Sequence, residues 1–242
     1  LNFTPASKYR EDWKYFILVG CMGYFLTLFL IQLGISLTGS AMASLLNALT
    51  PVSVTILAAL LLKERITPIK VLCLVLALAG TVVITQGAGS QGEVLGIAVV
   101  LLSVVAWGFA SVFMRRLTAK YPAVLVTTYG MAISLLFHIP AGIFSAVTQP
   151  VNVSPKVVLT ILYLGFFGSG FAQFTWTKCL SLLPASTCSL FYPLQPAFSA
   201  LLGAAILHET FTPAFFFGLL LISADVALST WETQRLSEAA QK

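Results

Sequence analysis

Long, uninterrupted apolar runs dominate this 242-residue chain, and they decide what it can fold into. A bilayer core about 30 Å thick is crossed by a helix of roughly 20 apolar residues. Only 9% of the residues are charged, whereas in a soluble domain roughly a quarter are. The sequence therefore predicts an all-α integral membrane protein. Eight segments qualify as membrane helices: 15–37, 41–62, 68–85, 94–114, 124–147, 157–180, 185–207 and 213–230.

One stretch of the chain occurs twice. Residues 36–68 align without a gap with residues 181–213, at an offset of 145, and 12 of the 33 aligned positions are identical. Chance matches of Leu and Ala are expected in apolar sequence, but a shared mid-segment proline and a shared Glu-x-x-Thr-Pro are not. The pattern indicates an internal duplication.

The basic residues predict that the two copies cross the membrane in opposite directions. If the N-terminal end is cytoplasmic and each segment reverses direction, all Lys and Arg residues except Lys156 lie on the cytoplasmic side. The first copy then ends inside, at residues 63–65, and the second ends outside, at residues 208–210. An inverted repeat needs an odd number of helices in each half.

The expected organisation is an inverted five-plus-five helix repeat. Residues 92–231 supply all five helices of the second repeat, whereas residues 1–86 supply only three, so the first two helices of the first repeat are expected to be missing. Residues 232–242 form a short polar tail. Both ends of the chain are predicted to be cytoplasmic, with the protein spanning the cell (inner or plasma) membrane several times.

Two motifs in the repeats carry a family resemblance. The first copy contains the run Asn47-Ala48-Leu49-Thr50-Pro51 followed by Glu64, and the second contains Tyr192-Pro193-Leu194-Gln195-Pro196 followed by Glu209. Within an inverted five-plus-five repeat, these motifs resemble the EamA-type members of the drug/metabolite transporter superfamily over essentially the whole chain. The resemblance implies a secondary transporter for small organic metabolites, such as amino acids, with efflux as the expected direction. It also implies a central cavity that opens alternately to each side.

Pro51 and Pro196 are predicted to kink their helices near the bilayer midplane. Proline removes a backbone hydrogen bond and frees a carbonyl, which is tolerated in a membrane where that carbonyl faces protein or water. Interrupted helices at matching positions of two inverted halves indicate a transporter's binding site. The alternative is a kink that serves only helix packing.

Polar and aromatic residues near these kinks are the candidate substrate ligands. Two helices carry them at i, i+4 and i+7: Ser103, Trp107 and Ser111 in one, and Ser169, Gln173 and Trp176 in the other. A site for small organic solutes needs aromatic walls and a few hydrogen-bonding groups, although the same residue types also join membrane helices to one another. The predicted substrate-binding residues are Tyr24, Asn47, Trp107, Ser169, Gln173, Trp176, Tyr192 and Gln195.

Three ionisable residues lie within apolar segments, where charge is costly and suggests function: His138, Lys178 and Asp225. His138 either carries a proton or bonds a carbonyl freed by Pro140. Lys178 is expected to extend to the interface, and Asp225 to pair with Lys178 or reach the headgroups. Glu64 and its counterpart Glu209 are expected to cap neighbouring amides at helix junctions rather than to bind substrate.

Small residues that recur between the repeats predict close approach of helices, notably Gly20 with Gly165 and Gly23 with Gly168. The four cysteines have no metal-ligand spacing and are interpreted as buried apolar residues. No cofactor or metal is predicted, and no nucleic-acid partner, because the basic residues are scattered between apolar segments. The expected partners are a small-molecule substrate and lipid, with a homodimer possible.

Two rival classes of function stay open. A truncated or non-transporting membrane subunit would also explain an incomplete first repeat. An intramembrane hydrolase is suggested by the run Gly168-Ser169-Gly170, but the rhomboid-type motif Gly-x-Ser-Gly needs a glycine where Phe167 stands. We therefore predict that the protein is not an enzyme.

Overall fold

The computed structural model describes residues 12–39, 46–85, 94–148 and 154–192, together with single positions at 43 and 194 and between 216 and 235. Strands are absent from these described residues, so the predicted all-helical class agrees with what they show. The helices are α1 (Trp13–Thr38), α2 (Thr50–Leu62), α3 (Pro68–Thr85), α4 (Val94–Thr118), α5 (Ala123–Thr148), α6 (Pro155–Leu182) and the short α7 (Ala185–Ser189).

Four of the described helices are long and apolar enough to cross a membrane: α1, α4, α5 over Ala123–Ser145, and α6. They coincide with four predicted segments, and α3 has the predicted bounds of 68–85. Most of segments 185–207 and 213–230 lies outside the described residues, so the count of eight and the inverted repeat stay predictions.

The position of Pro51 differs from the prediction. It was expected about the eleventh residue into a helix, but it lies in the first turn of α2, because the chain makes a turn at Ala48–Leu49. Proline costs no hydrogen bond there, since the first amides of a helix have no partner within it. The carbonyl of Asn47 accepts a hydrogen bond from the Thr50 hydroxyl at 2.6 Å. The break before α2 therefore comes from the turn at Ala48–Leu49, and Pro51 does not lie at a kink within the helix.

Two of the long helices contain a π-helical stretch of eight residues, Val19–Leu26 in α1 and Leu164–Phe171 in α6. These stretches lie 145 residues apart, which is the offset of the sequence repeat. A π-helix widens the backbone turn, occurs mostly within α-helices and is frequent at functional sites. The two helices therefore share an unusual local structure at matching positions.

The helix α4 lies at the centre of the described fold and packs on α1, α2 and α6, while α5 packs on α1 and α6. Close approach to α1 depends on its glycines. A Cβ atom added at Gly23 would lie 2.7 Å from the Cβ of Ala110 in α4, and one at Gly20 would lie 2.7 Å from the Cβ of Ile133 in α5. The close approach predicted for these two glycines is confirmed.

The matching glycines of α6 do not behave in the same way. A Cβ at Gly165 would have no atom within 4 Å, and one at Gly168 would approach only Leu164 of its own helix, at 3.7 Å. The neighbouring rings of Phe166 and Phe171 are 68% and 60% exposed. The close approach predicted at Gly165 and Gly168 is therefore wrong for the described structure, because no described helix covers this face of α6.

The predicted capping role of Glu64 is confirmed. Its half-buried carboxylate accepts hydrogen bonds from the backbone amides of Ala185 (2.9 Å) and Ser186 (3.2 Å), and from the Ser186 hydroxyl (2.5 Å). The Lys70 ammonium donates to the same Ser186 hydroxyl oxygen at 2.7 Å. The connection between α2 and α3 thus holds the start of α7, which is 121 residues further along the chain. Glu209 lies outside the described residues.

Candidate substrate site

Four of the predicted substrate ligands come together as a continuous set of rings, which we call the aromatic cluster: Tyr24, Trp107, Trp176 and Tyr192. The ring centroids of Tyr24 and Trp107 are 6.4 Å apart, those of Trp107 and Trp176 6.2 Å, and those of Trp176 and Tyr192 5.2 Å. The first and last contacts are edge-to-face, a favourable geometry for aromatic pairs. The cluster joins α1, α4, α6 and the turn that follows α7.

Helical spacing explains why α4 and α6 supply this cluster. In α4, Ser103, Trp107 and Ser111 lie on one face, and all three are buried in the centre of the fold. In α6, Trp176 and Gln173 lie one turn apart and are half-buried on the side that meets α4. Tyr24 enters from the π-helical stretch of α1 and is only 3% exposed. Side chains from three helices that are well separated in the sequence therefore meet within one small region.

A group of polar atoms borders the aromatic cluster. The Tyr24 hydroxyl lies 3.3 Å from the hydroxyl of Thr177 and 3.9 Å from the sulfur of Met114. The Thr177 hydroxyl also lies 2.9 Å from the Gln173 carbonyl oxygen. Sequence reasoning missed Thr177, although its spacing of four from Gln173 and eight from Ser169 places it on the same helix face.

Several buried polar atoms in and beside the cluster have no hydrogen-bond partner in the described part of the chain. They include the indole nitrogens of Trp107 and Trp176, the Gln173 side-chain oxygen and the Ser111 hydroxyl. Buried polar groups in proteins nearly always have a partner, because leaving one unpaired costs roughly 1–3 kcal/mol. An arrangement of rings with unused donors and acceptors is suited to bind a small organic molecule that has both apolar and polar parts.

The other predicted ligands are placed differently. Ser169 is half-buried in the π-helical stretch of α6, two turns before Trp176 and at the position that corresponds to Tyr24 in the repeat. The Asn47 side chain lies beside Thr50, with its oxygen 3.3 Å from the Thr50 hydroxyl, so it stabilises the local turn. Gln195 and Pro196 lie outside the described residues.

The ionisable residues occupy three different environments. His138 is half-buried, with Nδ1 3.0 Å from the Ser134 carbonyl oxygen and its ring edge-on to Phe25. That carbonyl is not the one that Pro140 frees, which belongs to Leu136 four residues earlier, so the predicted contact is wrong. Lys178 is exposed near the end of α6, in agreement with a side chain that reaches the interface.

Asp225 is fully buried, and neither of its carboxylate oxygens has a hydrogen-bond partner in the described part of the chain. The thiol of Cys73 in α3 lies 3.6 Å from the Asp225 backbone oxygen. No described ion pair joins Asp225 to Lys178, which is exposed. The predicted pairing between these two residues is therefore absent from the described structure.

Several membrane-length helices packed around a central cluster define a class of protein, the multi-helical membrane proteins. Comparison with known proteins gives the family. The family model described as "EamA-like transporter family" matches residues 2–86 and 94–231. The chain belongs to the EamA-like transporter family, whose members are multi-pass membrane proteins, and this confirms the resemblance seen in the sequence.

The relatives of this chain carry only general names. An uncharacterized transporter of Archaeoglobus fulgidus is 32% identical over 208 residues, which cover 85% of this chain and 72% of the relative. The uncharacterized transporter YyaM of Bacillus subtilis is 28% identical, with 85% of this chain and 70% of the relative covered. A solved structure has a TM-score of 0.77 at 24% identity and covers 91% of this chain and 77% of its own, which shows the shared fold.

Proposed function

We propose that the protein is a secondary transporter that moves small organic metabolites, such as amino acids or similar solutes, by alternating access. The observation that carries this proposal is the aromatic cluster with its bordering polar atoms, in a chain that belongs to a transporter family. Efflux across the plasma membrane is the proposed direction of transport. Both ends of this chain are proposed to be cytoplasmic, because all Lys and Arg residues except Lys156 then lie on the inner side.

The proposed mechanism depends on the contacts within the cluster. In the described conformation the rings of Trp107, Trp176 and Tyr192 touch one another, and Trp107 is only 8% exposed. A solute that binds between the rings would replace ring–ring contacts with ring–solute contacts and would pair with the free atoms of Gln173 and Ser111. Such a ligand shifts the protein between conformations only if it binds one of them more tightly.

The glycine contacts support a further part of the proposal, namely that two more helices complete the first repeat. The helix α1 packs on α4 and α5 through Gly20 and Gly23, whereas the matching Gly165 and Gly168 of α6 meet no other described helix. The shared π-helical stretches support the equivalence of α1 and α6. A helix pair equivalent to α4 and α5 would cover the open face of α6.

Gly165→Leu would then lower transport in cells but leave the stability of the 242-residue chain unchanged. A loss of both transport and stability would contradict the proposed helix pair.

Reconstitution into proteoliposomes tests the function. The protein is assayed for uptake and efflux of amino acids and small metabolites, alongside Trp107→Ala and Trp176→Ala. Trp13→Ala is the matched control, because Trp13 is 42% exposed and lies outside the cluster. We expect both cluster variants to insert normally and to lose at least tenfold in flux for the transported solute, while the control keeps it. Wild-type flux in both cluster variants would refute the site.

A further inference from the structure

Two of the four cysteines meet where α6 turns into α7. Cys179 lies in the last turn of α6 and Cys188 lies in α7, nine residues later, because the chain reverses at Leu183–Pro184. Their sulfur atoms are 2.8 Å apart, and both residues are free thiols. A disulfide bond is about 2.05 Å long, so the two sulfurs are less than 1 Å from bonding distance.

The other two cysteines have no such neighbour. Cys21 is half-buried in α1, and Cys73 is buried in α3 with its thiol near the backbone of Asp225. The four residues thus divide into one close pair and two separate thiols. This differs from the sequence interpretation, in which all four were buried apolar residues. The pair forms because the turn between α6 and α7 reverses the chain and brings Cys188 back to Cys179.

We propose that Cys179 and Cys188 form an intramolecular disulfide when the protein meets hydrogen peroxide. Cys179 reacts first, because it is half-exposed whereas Cys188 is fully buried. Its thiolate attacks one peroxide oxygen, the O–O bond breaks, and a sulfenic acid and one water form. The Cys188 sulfur then attacks the sulfenic sulfur and displaces a second water. The two thiols lose two electrons and two protons in total, and the peroxide is reduced to two waters.

The disulfide would act on the region that carries part of the aromatic cluster. Trp176 lies one turn before Cys179, and Tyr192 lies one turn after Cys188, with their rings 5.2 Å apart. A covalent link between the two cysteines would hold α6 against α7 and restrict any separation of this ring pair. If the cluster must open for transport, which rests on the proposed function, then oxidation slows transport and reduction restores it.

Thiol counting on the purified full chain in detergent tests the disulfide. The protein is treated with hydrogen peroxide, and its remaining thiols are blocked with N-ethylmaleimide. Any disulfide is then reduced with dithiothreitol, and the thiols so released are labelled with a polyethylene-glycol maleimide. We expect two labels in the wild type and in the double variant Cys21→Ser, Cys73→Ser, and none in Cys179→Ser or Cys188→Ser. Absence of label in the wild type, labels that persist in the single variants, or a cross-linked dimer would each overturn the proposal.

Flux measurements keep this proposal separate from the proposed function. In proteoliposomes, peroxide is expected to lower wild-type flux at least fivefold and dithiothreitol to restore it, while Cys188→Ser is insensitive to peroxide. If the disulfide forms and the flux does not change, the link between the cysteine pair and the aromatic cluster is wrong. If no solute is transported by any form, the proposed function fails, but the thiol count still decides whether the disulfide forms.

Discussion

The clearest energetic consequence of the structure concerns Glu64. Its carboxylate accepts three hydrogen bonds from Ala185 and Ser186, and it does so across 121 residues of sequence. Replacing Glu64 with alanine leaves the first amides of α7 without their cap and removes a negative charge beside Lys70, which is only 6% exposed. The substitution should therefore loosen the contact between α2 and α7, which pack directly on each other.

The expected decrease in the free energy of unfolding follows from the kind of hydrogen bond that Glu64→Ala removes. Loss of a helix cap alone costs about 1 kcal/mol, and a hydrogen bond to a charged group contributes about 1.5–3 kcal/mol. Because Glu64 is half-buried, water replaces part of what is lost, so we expect a decrease of about 3 kcal/mol in the free energy of unfolding. Glu64→Gln should cost about half as much, since its amide keeps one acceptor oxygen but also brings a donor that faces other donors.

Unfolding in mixed detergent micelles, followed by tryptophan fluorescence, measures this difference. Glu232→Ala is the matched control, because Glu232 is also a poorly exposed carboxylate but accepts a described hydrogen bond only from the Thr67 hydroxyl. We expect the control to lose about 1 kcal/mol. If Glu64→Ala is no less stable than Glu232→Ala, then the capping contacts do not hold α7 and the reasoning is refuted.

Three further predictions concern other parts of the fold. In the 242-residue chain, Gly20→Ala should lower the free energy of unfolding by about 1–3 kcal/mol through overpacking. Gly165→Ala should not lower it, since its Cβ would meet no atom within 4 Å. Equal losses of stability for the two variants in the same detergent assay would contradict the packing. The pKa of the Asp12 carboxyl is lowered, chiefly by the hydrogen bond that it accepts from Lys120. Asp12 therefore stabilises the fold at pH values above its ordinary pKa, and this stabilisation is lost as the pH falls through the lowered pKa. Asp12→Asn should therefore lower the free energy of unfolding by at most about 1 kcal/mol at pH 7, because Lys120 is 55% exposed, and should not change it in strong acid. Unfolding curves recorded from pH 7 to pH 2 measure this, and a difference between variant and wild type that stays constant over that range would argue against it. Tyr24→Phe removes the hydroxyl beside Thr177 but keeps the ring, so it should weaken the binding of the transported solute, measured as a higher KM, more than it changes stability.

Much of the fold is accessible from sequence because a membrane imposes simple rules. An apolar run of about 20 residues has few alternatives to a helix that spans the bilayer, since every backbone group must find its partner within the segment. That is why segment 68–85 and the helix α3 have the same bounds, and why segments such as 94–114 coincide with long helices. Helical spacing also placed Trp107 with Ser103 and Ser111, and Trp176 with Gln173, on shared faces.

The errors have equally specific causes. Pro51 was placed in mid-helix because an apolar run contains no sign of the turn at Ala48–Leu49, which depends on the local contact between Thr50 and Asn47. One of the two alternatives for His138 was a bond to a carbonyl freed by Pro140, but a side chain bonds to whatever carbonyl its rotamer reaches, here that of Ser134. Gly165 and Gly168 match Gly20 and Gly23 in the repeat, but no described helix supplies to α6 the neighbours that α4 and α5 supply to α1.

The sequence by itself therefore determined the helical class of the protein and four of its membrane-length helices, because these follow from composition and apolar runs, and its motifs resembled the family that the comparison confirmed. Only the tertiary structure decided which rings form the aromatic cluster, that Glu64 caps α7, and that Cys179 faces Cys188 at 2.8 Å. These contacts join residues on different helices or across a reversing turn. They depend on how helices rotate and cross when they pack, and that information is distributed over the whole chain rather than present in any one segment.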